Sequence, residues 1–128
     1  MMSEHGRDAY ISIDVKNSSI HILQQTFIQL GSPKIIQLLF DPDAQIIGIR
    51  FLAHEVPGEQ SLHVRTRHDR HGYRSYLYSK ALITKMRKAN SHMEQDGTYR
   101  LQGLFSRDNK SIIFPMDTMK LIEKAEEA

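Results

Sequence analysis

A chain of 128 residues with 40% hydrophobic and 25% charged residues can bury one core, and it shows neither the apolar run of a transmembrane helix nor the composition of a disordered segment. The absence of cysteine removes disulfides, thiolate metal sites and cysteine nucleophiles together. The formal net charge of +2 hides an uneven distribution. Residues 1–60 carry four Lys or Arg against seven Asp or Glu (4 − 7 = −3), residues 61–110 carry eleven against four (11 − 4 = +7), and residues 111–128 carry two against four (2 − 4 = −2).

In chain order, Tyr10-Ile11-Ser12-Ile13 alternates in polarity and predicts a strand. Asn17, Ser18 and Ser19 are helix-capping residue types, and Ile20, Leu23, Phe27 and Leu30 follow at helical spacing. A helix is therefore expected over about 18–30, stopped by Gly31 and Pro33. β-branched and aromatic residues at 35–40 and 45–52, with Asp41-Pro42-Asp43-Ala44 between them, predict a hairpin. Polar residues at 54–61 read as a linker. Leu62, Val64 and Thr66 then alternate with His63, Arg65 and Arg67, which predicts a strand pairing with residues 73–78. Ser79 is expected to cap a second helix that carries Leu82, Ile83, Met86 and Ala89 and ends near Asn90. Strands are expected at 99–105 and 111–114 around a turn at 106–110, and a short C-terminal helix at about 117–127, capped by Asp117.

Two stretches recur. His5-Gly6 with Tyr10 returns as His71-Gly72 with Tyr76 at an offset of 66, and Gln37, Leu39, Phe40 and Asp43 return as Gln102, Leu104, Phe105 and Asp108 at an offset of 65. This pattern predicts a tandem duplication with repeats at about 5–53 and 62–116. Half the chain, with one hairpin and one amphipathic helix, cannot bury its apolar face alone. The expected fold class is α+β, mainly β, with tandem strand-helix-strand-strand repeats forming a small pseudo-twofold barrel or sheet pair in a single compact domain over 1–128.

The strand Ile11–Ile13, the helix ending at Leu30-Gly31, Pro33 and the hairpin Ile35–Arg50 resemble the AbrB, MazE and SpoVT group of swapped-hairpin proteins. Tyr73–Ser79 and Tyr99–Phe114 carry the same resemblance in the second copy, where Leu-Gly is missing after the helix. The family's Gly-Arg-hydrophobic-hydrophobic-Pro run into the helix has no counterpart, since neither Val15-Lys16 nor Ser79-Lys80 supplies the Pro. The resemblance implies a DNA-binding protein, a transcription regulator or an antitoxin, with basic residues at the exposed end of a hairpin against DNA. It would place that role on residues 63–74 and on Arg7.

The residues themselves point to the same segment. Between His63 and Arg74 lie four arginines, three histidines and one acid. Guanidinium forks match phosphate oxygens, and a cluster of them supplies the sequence-independent part of nucleic-acid affinity. The candidate site is Arg65, Arg67, Arg70 and Arg74 with His68 and His71, extended by Lys80 and Lys88 on the second helix. Tyr73, Tyr76 and Tyr78 could stack on bases of a single strand. A solvated charged hairpin that only guards a sheet edge is the competing reading.

His63, His68 and His71 with Asp69 suggest a metal site, but the neighbouring arginines oppose a cation, and no metal is expected. A nucleophile elbow, a glycine-rich phosphate loop and an H-E-x-x-H helix are all missing from the sequence, so neither catalysis nor a cofactor is expected. Asp41 and Asp43 are read as turn residues. The expected function is a small cytoplasmic DNA-binding regulator of bacterial or phage type, with nucleic acid as partner and no membrane association. The alternative is an antitoxin-like interaction or assembly module that meets a protein partner or a second copy of itself.

Overall fold

The computed structural model describes residues 8–55, 61–69 and 72–124. In order they form β1 (Asp8–Asp14), β2 (Ser19–Ile22), α1 (Gln24–Gln29), β3 (Ile35–Asp41), β4 (Ile46–Leu52), β5 (Ser61–His63), β6 (Arg65–Asp69), β7 (Gly72–Tyr78), α2 (Lys80–Ala89), β8 (Gly97–Phe105), β9 (Ser111–Pro115) and β10 (Lys120–Lys124), with a 3-10 turn at Met116–Thr118. The chain is mostly β, as expected. No helix among the described residues is long and apolar enough to cross a membrane.

Period-two alternation decides the strands. Along β8 the buried residues are Gly97, Tyr99, Leu101, Gly103 and Phe105, and those between them face outward. All strand pairs are antiparallel, in the order β5-β3-β4-β9-β8-β1-β2-β7-β6, with β10 added to β8 beside β9. The two ends of this path, β5 and β6, are consecutive in the chain and separated by Val64 alone, whose amide donates to the Lys34 carbonyl at 2.8 Å. One extended segment thus pairs with β3 through its first half and with β7 through its second, and the sheet is nearly closed into a barrel. Ile11, Ile13, Ile20, Ile36, Leu38, Ile47, Ile49, Leu77, Leu101 and Phe114 fill the interior, and Leu82, Ile83 and Met86 of α2 join that core.

The helix expected over 18–30 is shorter and is preceded by a strand. Both carboxylate oxygens of Asp14 accept from Asn17, from its amide at 3.3 Å and from its side-chain nitrogen at 2.7 Å, and Ser18 takes a positive φ of 54°. These bonds make residues 15–18 a tight turn, so Asn17 and Ser18 end one strand rather than cap a helix. Ser19-Ile20-His21-Ile22 then runs as β2 between β1 and β7. Only Gln24–Gln29 is helical, with no side-chain cap at Leu23, and the Thr26 hydroxyl accepts from the Tyr10 amide at 2.9 Å. The second helix matches expectation: Ser79 Oγ accepts from the Leu82 amide at 3.2 Å, and the helix closes at Asn90.

The C-terminal helix expected at about 117–127 is replaced by the 3-10 turn and β10, and residues 125–127 lie outside the described ones. Thr118 explains the change. Its hydroxyl accepts from the Gln102 amide at 3.1 Å and lies 3.1 Å from the Gln102 carbonyl, taking a backbone partner's place on β8 between β9 and β10. Lys120 and Leu121 continue that ladder opposite Arg100 and Tyr99.

Where strand-helix-strand-strand was expected in each half, the elements run strand, strand, helix, strand, strand: β1-β2-α1-β3-β4, then β6-β7-α2-β8-β9. The two sequence matches fare differently. Phe40 faces Ile47 in one hairpin as Phe105 faces Ile112 in the other, whereas Tyr10 lies on the first strand of its hairpin and Tyr76 on the second of its own. The offset of 66 does not join equivalent positions.

A Cβ at Gly103 would lie 2.4 Å from the Ile113 carbonyl oxygen, so β8 approaches β9 too closely there for any side chain. Gly48 on β4 has open space around its Cβ direction. Gly103→Ala is expected to cost about 1–3 kcal/mol in urea unfolding, and Gly48→Ala to be neutral or to stabilise by up to about 1 kcal/mol. Equal midpoints for the two variants would contradict this packing.

Candidate nucleic-acid interface

The strand register places the basic and aromatic residues. Arg65 lies opposite Tyr76 and Arg67 opposite Arg74 in the β6–β7 ladder, and His21 lies opposite Tyr76 and Ser19 opposite Tyr78 in the β2–β7 ladder. Directly opposed residues point to the same side of a sheet. Because Ser75 and Leu77 point inward, Arg74, Tyr76 and Tyr78 share the outer face with Arg65, Arg67 and His21.

The rings on this face touch in series. His21 stacks on Tyr76, with centroids 5.7 Å apart and planes at 26°, and Tyr76 meets Tyr78 edge-on at 5.6 Å and 83°. The Arg65 guanidinium lies 5.6 Å from the centre of the Tyr78 ring. That is cation–π range, and such a contact holds an arginine near an aromatic ring without neutralising its charge. Tyr78 stays 52% exposed, so much of its ring is open to solvent.

Arg67, Arg74, Tyr76 and Tyr78 line a shallow cleft of about 260 Å³ with Asp14 and His21. Asp14 is the acid among the described residues of this cleft, and Asn17 engages both of its oxygens. Burial pushes the His21 pKa below its ordinary 6.5; Asp14 acts in the opposite direction, and Arg74 lowers it further. The imidazole is therefore held toward its neutral form.

Of the residues expected from sequence, Arg65, Arg67 and Arg74 come together here, all three exposed. His68 belongs to β6, but its side chain, like that of Tyr73, lies outside the described part; Arg7, Arg70 and His71 lie outside it entirely. His63 is set apart by a 2.5 Å contact from its Nε2 to Glu55 Oε1. Lys80 and Lys88 lie on α2 and line a different groove, beside Lys16 of the β1–β2 turn. Sequence reasoning assigned residues 18–30 to a helix and so missed His21. The polar-apolar alternation of Ser19-Ile20-His21-Ile22 was the signal that could have found it.

Compared with known proteins, the chain matches no family model, no curated protein and no solved structure.

The lowered His21 pKa has a definite sign for stability. A histidine that resists protonation in the folded state binds fewer protons there than in the unfolded chain, so it contributes stability above pH 6.5 that is lost as pH falls through its folded pKa. NMR titration of the His21 ring is expected to show a midpoint below 6.5, moved lower still by Asp14→Asn and higher by Arg74→Gln. A wild-type midpoint at or above 6.5 would contradict the burial of this ring.

Proposed function

We propose that the protein is a small DNA-binding regulator that engages its target through the outer face of β2, β7 and β6. One observation carries the proposal: Arg65, Arg67 and Arg74 share a single sheet face with Tyr76, Tyr78 and His21. Arginines supply contacts to phosphate and rings supply surfaces for bases, and the two together are the composition of an unpaired-strand platform. An exposed tyrosine with a guanidinium over it favours single-stranded DNA over duplex on this face.

The architecture supports the same reading. The two strand-strand-helix-strand-strand units and the matching registers of β3–β4 and β8–β9 fit a tandem duplication around a pseudo-twofold axis, a single-chain counterpart of a dimer. That arrangement is in keeping with the resemblance to the AbrB, MazE and SpoVT group, whose members bind DNA as dimers.

Labelled single-stranded and duplex DNA titrated at two salt concentrations tests the proposal. Three phosphate contacts predict a log–log salt slope of about −2 for single strands and about −3 for duplex. Arg67→Gln should reduce the magnitude of the slope by about one, and Tyr78→Ala should cost about 1–3 kcal/mol per lost stack while leaving the slope in place. Failure to bind at low salt, or affinity indifferent to salt, would sink it.

A second reading, a protein-interaction module, is favoured by a different surface. Leu39, Gly48, Ile113 and Leu104 form one row across β3, β4, β9 and β8, and the three side chains are more than half exposed. Contiguous apolar surface of this kind marks protein contacts. Concentration-dependent self-association in sedimentation, abolished by Leu104→Lys, would support this reading, and a monomer at every concentration would count against a second copy as the partner.

A further inference from the structure

Lys16, Lys80, Arg87 and Lys88 converge on a groove of about 550 Å³ between the β1–β2 turn and α2, joined by the hydroxyls of Thr84 and Ser91. Among the described residues, no aspartate or glutamate lines it. Gathering four cations around a concavity costs repulsion, and low-dielectric walls focus their field onto whatever enters. The walls are fixed: the Ser79 amide, at the start of α2, donates to the Ser18 carbonyl at 3.0 Å, and the Val15 amide donates to the Gly97 carbonyl at 3.1 Å. Lys16 is thereby held across from the helix that carries the other three. The first turn of α2 contains no acid to occupy its own positive end.

Arg87 adds an independent sign. Its Nε is buried and has no hydrogen-bond partner among the described residues. A shielded donor without an acceptor is an unfavourable arrangement, and because Arg87 lines the groove, a ligand oxygen bound there would supply an acceptor that its guanidinium lacks. The groove also has apolar wall from Val15 and Ile83, suited to the uncharged part of a ligand. Its volume falls in the range of small-molecule sites rather than of a lone ion.

We propose that this groove binds the phosphate group of a small phosphorylated ligand of nucleotide size, separately from the β2–β7–β6 face. A phosphate could come from a free ligand or from the backbone of a bound strand, because the β1–β2 turn borders both this groove and the arginine cleft. The apolar wall from Val15 and Ile83 favours the free ligand.

NMR titration of the full-length protein with inorganic pyrophosphate, followed by displacement, tests this. The Arg87 Nε–H signal and the amides of Ser18 and Thr84 should shift and saturate. Lys16→Gln, on an exposed turn outside α2, should weaken pyrophosphate binding about 10-fold or more, as loss of a charge-assisted contact does. Arg87→Gln should do the same, and Arg67→Gln should have no effect, so failure of the DNA-binding reading leaves this result intact. Displacement of pyrophosphate by AMP supports the small ligand. Displacement only by a single-stranded oligonucleotide, shifts that never saturate, or an unchanged affinity in Lys16→Gln would each overturn it.

Discussion

The fold depends on one extended stretch of chain changing partners at Val64. Up to His63 it bonds to β3, and from Arg65 it bonds to β7, so it closes a sheet whose ends would otherwise stand apart. Open edges invite pairing with other chains, and near-closure removes most of that exposure. Closure also gives the interior its walls, because β3 and β7 each bury residues, Ile36 and Leu38 on one and Leu77 on the other, that need the sheet curved around them.

That same stretch carries Arg65 and Arg67, so the residues placed on the outer face cannot be moved without moving the barrel. Arg67 directly opposite Arg74 is unfavourable in a cross-strand pair. Asp14 carries a charge that acts on His21, although Asn17 donates to both of its oxygens, and Arg65, Arg67 and Arg74 outnumber it on this face. The Tyr78 ring then orders one of them, because Arg65 lying over it loses fewer conformations on meeting a phosphate than an arginine waving in water.

Much of this was legible in the sequence wherever alternation and turn chemistry agreed. The β3–β4 hairpin follows from apolar runs flanking Asp41, whose carboxylate accepts from the amides of Asp43 and Ala44, the turn role expected of it. Ser79 and the Leu82, Ile83, Met86 spacing gave α2 for the same reason. Residues 18–30 misled because Ile20 and Leu23 fit a period of 3.6 as well as Ile20 and Ile22 fit a period of two, and Ser and Asn serve turns as readily as caps. The C-terminal strand was hidden for another reason. Its pairing is long-range, and the side chain that seats it, Thr118, finds its partner sixteen residues away. The candidate face was half visible: charge and aromatic content marked β6 and β7, but no local pattern could show that His21 would arrive beside Tyr76 from another hairpin.

Thr118 has a consequence for how the molecule breathes. β10 hangs on β8 by a short ladder with a register shift between Leu121 and Glu123, and Leu121, Ile122 and Glu123 are exposed. The hydroxyl at Gln102 is one hydrogen bond of modest net worth, about 1 kcal/mol. Met116 is buried in the core and Met119 packs against it, so the segment is anchored at its start and exposed at Leu121–Glu123. Opening of β10 from that exposed end therefore costs less than opening of the barrel, and β1, on the other side of β8, can stay paired along its whole length.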